Sequence, residues 1–272
     1  MIICKGGTGN LSAFTMALSS PFTELADWAP QRKDLQMLNV CVNCGHYHVD
    51  KEVTDPATSV EFSHPRSPDH WQQDAWLAFA TCPRCGRAYP FLQLPLLLVG
   101  GASAAGKTAI LHELSGRFAA AVLLEADLLW LREFEAPSDG HRRFFETWLR
   151  MAKNIGQSGR PAALFGAGLA VPENIEQCLE RRYFGRVHYL ALVCEEDLLR
   201  QRLLARPAWR KSGQAEQLAA QLNFNRWLQT DGPHQTPPVT LLDTTGTSVR
   251  DSAIAVKGWM KHALASAMPG TT

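Results

Sequence analysis

Between residues 101 and 108 the chain reads Gly-Ala-Ser-Ala-Ala-Gly-Lys-Thr, which meets the spacing G-x-x-x-x-G-K-[ST] at every position. The flanks restrict the fold further. Leu96-Leu97-Leu98-Val99 is a short apolar run suited to a buried strand, and Lys107 to Phe118 reads as a helix. A strand that turns through glycines into a helix gathers backbone N–H groups at the helix start. The partial positive charge of that end adds to them, so the segment reads as a phosphate-binding loop, or P-loop. On this reading Gly101, Ala102, Ser103, Ala104, Ala105, Gly106, Lys107 and Thr108 hold the phosphates of a nucleoside triphosphate. Lys107 is expected to reach the β- and γ-phosphates, and the Thr108 hydroxyl to help hold Mg²⁺. A glycine-rich turn that matches by chance is the competing explanation, and the strand and helix on either side count against it.

Bulk properties exclude some classes. The 272 residues allow one large domain or two smaller ones, with 46% hydrophobic and 19% charged residues as in ordinary globular chains. A net charge of +1 gives no general attraction to nucleic acid or to anionic membranes. No apolar run approaches the ~18 residues that span a bilayer. The start of the chain has Lys5 and a weak apolar stretch from Leu11 to Leu18, too little for a signal peptide, so residues 1–20 are expected to be a loosely ordered extension. Cytoplasm is the expected location, without membrane association.

Residues 1–93 and 94–272 differ in character. The first part is loop-rich, with Asp55-Pro56, His64-Pro65 and Ser67-Pro68, and it carries two C-x-x-C-G knuckles, Cys41-Val42-Asn43-Cys44-Gly45 and Cys82-Pro83-Arg84-Cys85-Gly86. Each knuckle is a tight turn that aims two thiolates at one point, with glycine supplying the backbone freedom. Together Cys41, Cys44, Cys82 and Cys85 suit a tetrahedral, structural Zn²⁺ site in a zinc-ribbon-like module. The separation of the pairs implies an insertion, placed at Asp50 to Gln73. A dithiol redox pair is the alternative, but such motifs normally occur singly. His46 and His48 are read as solvated loop residues that could replace a cysteine ligand, and Cys178 and Cys194 as core thiols.

The second part alternates strands and helices, the pattern of a parallel α/β sheet. Strands are expected at Leu96–Val99, Ala121–Glu125, Ala162–Phe165, Val187–Val193 and Val239–Leu242. Helices are expected at Lys107–Phe118, Arg142–Ile155, Glu173–Arg182, Glu195–Arg206, Gln214–Gln229 and Ser248–Leu264. In such sheets ligands gather at the carboxyl ends of the strands. Two acids, Glu125 and Asp127, end the second strand there. Asp127 is the first candidate to accept a proton from an attacking hydroxyl or to hold Mg²⁺ through water, with Glu125 second. Alternatively Asp127 caps a short helix from Leu128 to Phe134. Asp243 reads as part of a turn, and the third strand ends without an acid, which weakens an ATPase reading. Arg202 and Arg206 share a helix face that Pro207 terminates, leaving Arg210 on a loop; such arginines neutralise charge on a transferred phosphoryl group. Glu133, His141, Arg142 and Arg143 are expected to wall the acceptor site.

These residues together resemble the small-molecule and nucleotide kinases of the P-loop superfamily, most of all the nucleoside kinase and chloramphenicol phosphotransferase-like group. The resemblance spans residues 94–265 and rests on Gly100 to Thr108, Asp127 and the Arg202-to-Pro207 segment, which falls where such kinases carry their lid. It implies a five-stranded parallel sheet in the order 2-3-1-4-5, use of ATP with Mg²⁺, and transfer of phosphate to a hydroxyl or phosphate of a small molecule. The zinc-ribbon-like module lies outside that family pattern. A nucleotide-regulated adaptor whose module binds protein or nucleic acid is therefore the alternative function, with nucleic acid the less favoured partner.

Overall fold

The computed structural model describes residues 38–54, 76–131 and 141–267. The expectations for residues 1–20, Asp55-Pro56, His64-Pro65, Ser67-Pro68 and Glu133 lie outside the described residues.

Strands that are apolar on both faces must be covered on both faces, and this governs the C-terminal part. Five such strands, β4 (Leu96–Gly101), β5 (Val122–Glu125), β6 (Ala162–Phe165), β7 (Val187–Val193) and β8 (Val239–Asp243), form one sheet in the order β5-β6-β4-β7-β8. All pair in parallel. Counted from the P-loop strand this is the expected order, 2-3-1-4-5. Side chains alternate between two cores. Leu96, Leu98, Leu164, Tyr189 and Ala191 face one, covered by α2 (Arg142–Gly156), α3 (Pro172–Glu176) and α5 (Ala215–Thr230). Leu97, Val99, Phe165, Leu190 and Leu192 face the other, covered by α1 (Lys107–Leu114) and α6 (Val249–Ser266). Helix α4 (Glu196–Leu204) packs Leu199 and Leu203 against Ala102 of the P-loop, Cys194 and Leu222.

Three helical expectations are corrected. The helix after the P-loop stops at Leu114, because Gly116 takes a left-handed conformation (φ 72°) and the chain turns. The stretch expected as Glu173–Arg182 is two pieces, α3 and a 3₁₀ turn Leu179–Tyr183. The backbone is extended at Cys178, and the Glu146 carboxylate accepts the amide hydrogens of Leu179 and Glu180 at 2.6 and 3.1 Å, starting the second piece afresh. After β5 the described residues form a 3₁₀ turn, Ala126–Leu129, with Asp127 inside it; Glu125 is at its cap and no side chain caps it, so Asp127 does not cap this turn, and residues 132–134 of the expected helix lie outside the described residues.

The N-terminal part contributes a three-stranded antiparallel sheet, β1 (Glu52–Thr54), β2 (Leu77–Thr81) and β3 (Ala88–Leu92), in the order β1-β2-β3. Pro90 sits in β3, an edge strand that can spare an N–H. The expected insertion from Asp50 is corrected at its start, since Glu52–Thr54 belongs to the sheet and pairs with Phe79–Thr81. The core of this sheet is small: Leu38, Ala78, Ala80 and Phe91 close around Tyr183, a residue of the C-terminal part. Phe91 and Tyr183 meet edge to face at 5.5 Å. The Gln157 carboxamide pairs with both backbone groups of Leu92, at 2.9 and 3.0 Å.

At the end of β4 the backbone passes so close to Ala170 that a methyl group on Gly100 would lie 2.4 Å from its nitrogen and its Cβ. Gly100→Ala is expected to cost about 1–3 kcal/mol through this overlap, read as a fall in the denaturant midpoint at unchanged slope. Wild-type stability for this variant would mean that the strand end is not packed this tightly.

Candidate active site and thiolate cluster

The sheet order brings the carboxyl ends of β4 and β7 side by side, and the P-loop emerges between them. Gly101 has φ 138°, and an added Cβ would meet the Leu192 carbonyl oxygen at 2.4 Å, so only glycine fits. Ala104 (φ 66°) and Gly106 (φ 108°) are also left-handed and curl the backbone into a concave loop. Helix α1 begins with no side-chain cap and no acid in its first turn. Its first N–H groups lack helical partners by geometry, so the donor set suits an anion. Lys107 lies across the loop, its Nζ donating to the carbonyls of Gly101 and Ala102 at 2.8 Å each. Burial pulls this ammonium down to about 8; Asp127 and Glu125 support its charge and Arg206 opposes it. The Ser103 N–H donates to the Gln221 carboxamide oxygen at 2.7 Å, a contact from α5 that no sequence motif announces.

The end of β5 supplies the acids. The Thr108 hydroxyl donates to Glu125 Oε1 at 2.5 Å. Asp127 lies close enough for its charge to act on both Lys107 and Arg206. The turn that carries it is held by Trp148, fully buried on α2, whose indole N–H donates to the Ala126 carbonyl at 3.0 Å. Gly166, at the end of β6, packs against the same Ala126, where a Cβ would come within 2.7 Å.

The arginines separate. Arg206 belongs to the cluster with Lys107 and Asp127, and Arg210 lies near enough to act on it electrostatically. Arg202 turns to the β8–α6 connection, donating to the Thr244 hydroxyl and carbonyl at 3.5 and 3.4 Å. Arg210 stacks over Trp209 at 4.6 Å, on a surface where Trp209 is 72% exposed. Asp243 accepts the Thr245 N–H at 2.8 Å, the turn expected of it. Of the expected acceptor wall, Arg142 donates to the Gln177 carbonyl at 2.7 Å, and the His141 ring lies 5.1 Å from that of Trp130. Arg143 is exposed on α2.

The two knuckles meet at the other end of the molecule's small sheet. In each, the first cysteine carbonyl accepts the glycine N–H, from Gly45 at 2.7 Å and from Gly86 at 2.9 Å, with both glycines left-handed. The four sulfurs lie within 4.8 Å of one another, with Cys41–Cys85 at 3.6 Å and Cys44–Cys82 at 3.8 Å. A tetrahedron with metal–sulfur bonds of ~2.3 Å has edges of ~3.8 Å, so the cluster fits a metal ion. Burial raises the Cys41 thiol, but the Tyr89 hydroxyl at 3.1 Å and the amides of Cys44 and Asn43 outweigh it and bring it to about 5. Tyr89 and the buried Lys51, whose Nζ is 5.6 Å from the Tyr89 ring, were not expected from sequence. His46 is exposed beside Arg84, at 2.6 Å, and neither it nor His48 joins the sulfur cluster. Cys178 and Cys194 are buried thiols whose pKa burial raises.

No protein-family model and no curated protein matches the chain. Among solved structures it is similar to shikimate kinase from Acinetobacter baumannii in complex with shikimate, at 20% identity over 62% of this chain and 94% of that chain, with a TM-score of 0.42. It is also similar to a gluconokinase from Sinorhizobium meliloti 1021, at 15% identity over 64% and 97% of the two chains and a TM-score of 0.44. A tunicamycin resistance protein from Deinococcus radiodurans gives 16% identity over 61% and 95%, with a TM-score of 0.44. At such scores the fold rests on the chain's own strand order and loop geometry.

Burial pulls the Lys107 ammonium down to about 8, and the negative charge of a phosphate chain beside it raises its proton affinity. Calorimetry with metal-free ADP at pH 8, in two buffers of different ionisation enthalpy, is expected to show net proton uptake, shrinking toward pH 6.5, where Lys107 is already charged. Binding without proton exchange at pH 8 would contradict this placement of Lys107.

Proposed function

We propose that the chain is an ATP-dependent phosphotransferase that moves the γ-phosphate of ATP to a hydroxyl or phosphate of a small molecule, with nucleosides and nucleotides among the candidate acceptors. One observation carries the reading. Lys107, Thr108, Glu125, Asp127 and Arg206 come from separate points of the sequence and converge on the P-loop edge.

The amides from Gly101 to Thr108 hold the phosphate chain, and Lys107 moves from its loop carbonyls to the β- and γ-phosphates. The Thr108 hydroxyl, with Glu125 beside it, would hold Mg²⁺, which would neutralise phosphate charge. Asp127 orients the acceptor and takes its proton. Arg206, with Arg210 behind it, faces the transferring group and offsets its developing charge. Arg202 is engaged with Thr244 on the β8–α6 connection, so the transferring-group role falls to Arg206. Cys41, Cys44, Cys82 and Cys85 would hold a Zn²⁺ of structural kind, since four sulfurs leave no position for water. Residues 1–93 form the zinc-bearing part and 94–272 the kinase domain of a cytoplasmic enzyme. No helix among the described residues is long and apolar enough to cross a membrane. The adaptor reading draws on Val42 and Tyr47, 51% and 53% exposed on the first knuckle, but it leaves the acid and arginine at the P-loop without work.

Lys107→Ala is expected to abolish nucleotide binding or turnover. Asp127→Asn is expected to keep ADP affinity within about twofold and to lower phosphate transfer at least a hundredfold, the scale of a lost general base. The assay is ADP release from ATP across a panel of acceptor alcohols and nucleosides. Unchanged turnover in Asp127→Asn would overturn its role. For the cluster, emission spectroscopy is expected to find about one Zn²⁺ per chain, lost in Cys41→Ser together with a lowered thermal midpoint; a metal-free native protein would reject the zinc assignment.

A further inference from the structure

Two ionisable groups, Lys153 and Glu180, meet between the two parts of the chain away from water, and a third, Arg150, reaches them from the surface. Lys153 on α2 and Glu180 on the turn after α3 are 2% and 0% exposed and pair at 2.5 Å. Arg150 adds a contact to Glu180 at 2.9 Å. Asn39 of the N-terminal part, 6% exposed, completes the group: its Oδ1 accepts from Lys153 at 2.5 Å and its Nδ2 donates to Glu180 at 3.0 Å. A buried ion pair of this kind is weak evidence for stability, because desolvation cancels most of the attraction; its best-attested use is to fix one register. The register fixed here is that of α2 against the knuckle module.

Both ends of that register are anchored. Asn39 lies two residues before Cys41; its carbonyl accepts the His48 N–H at 2.7 Å, and Val40 bridges to Tyr47, so the first knuckle sets its backbone. Tyr183 adds to the junction, donating its hydroxyl to the Val49 carbonyl at 3.3 Å while Lys153 lies 4.0 Å over its ring. On the same helix, Trp148 holds the Ala126 carbonyl, between Glu125 and Asp127, in a turn that no side chain caps. We propose that the four-thiolate module is a brace for the carboxylate turn, in which Asn39 and Trp148 are positioning residues: Asn39 seats α2 through the Lys153–Glu180 pair, and Trp148 on that helix holds Glu125-Ala126-Asp127 in place. The inference rests on the reading of Asp127 given above. It gives the module work inside the enzyme. The connection is contiguous and physical, each link a hydrogen bond or one rigid helix.

The test uses the full chain with its metal bound. The Trp148 indole N–H is assigned by NMR from its loss in Trp148→Phe, and its hydrogen exchange is followed in wild type and in Asn39→Ala. The brace predicts exchange at least tenfold faster in Asn39→Ala, with ADP affinity within twofold of wild type and metal content unchanged. Slow ADP release from ATP, with water as acceptor, should fall about tenfold. Indole exchange within twofold of wild type in folded Asn39→Ala would overturn the proposal. If Asn39→Ala does not fold, Trp148→Phe decides: the proposal needs turnover to fall about tenfold while ADP affinity holds, and turnover equal to wild type overturns it. Failure of the wild type itself to bind ADP would instead strike the phosphotransferase reading, while the indole measurement would still report on the brace.

Discussion

The backbone N–H groups at the start of α1 have no partners inside their own helix, and much of the C-terminal part is arranged around that deficit. Main-chain donors are useful only if they converge, and convergence requires the chain to curl where β4 ends. Gly101, Ala104 and Gly106 supply the left-handed backbone for that curl. The curl in turn needs room. Gly100 lets Ala170 approach, and Gly101 lets the Leu192 carbonyl approach. The strand order then decides which neighbours the loop receives: β7 leads to the helix that ends near Arg206 on one side, and β5, across β6, delivers Glu125 and Asp127 on the other. Main-chain donors, a lysine ammonium whose pKa burial pulls down to about 8 and two carboxylates are thereby held near one another.

The knuckle module solves a different problem. A three-stranded sheet with only a handful of buried apolar side chains cannot offset the entropy of ordering its own loops. Its four thiolates suit a metal that would do so, and its remaining apolar face closes on Tyr183. The contact with α2 is not greasy at its centre. It contains Lys153, Glu180 and Asn39, groups that tolerate only one arrangement once water is excluded. Among the described residues the module has so little core of its own that it is better described as part of the scaffold than as a detachable head.

Motifs with fixed local spacing were legible. The P-loop residues, the paired knuckles and the apolar runs of the five strands depend on neighbours within a few positions, so their pattern survives in one dimension. Asp127 and Arg206 were legible as candidates because each follows a strand or helix whose end must face the loop. Helix ends were legible only in part. The stop at Gly116 is local, set by its left-handed backbone, whereas the break at Cys178 depends on Glu146, from another helix. Arg202 and Arg206 share a helix face in sequence, but only packing against the β8–α6 connection turns one to Thr244 and leaves the other near Asp127.

By itself the sequence determined the fold class, the glycine-bearing loop after β4 and the four-cysteine cluster, because periodicity, glycine conformations and knuckle spacing are set by short-range sterics. Tertiary structure alone decided which arginine lies near Asp127, that Gln221 reaches the Ser103 amide, that Trp148 holds the Ala126 carbonyl, and that Asn39 joins the Lys153–Glu180 pair. Those contacts join residues far apart along the chain. Single glutamines, tryptophans and asparagines carry no spacing signal, and their partners are fixed only when burial removes the water that would otherwise satisfy them.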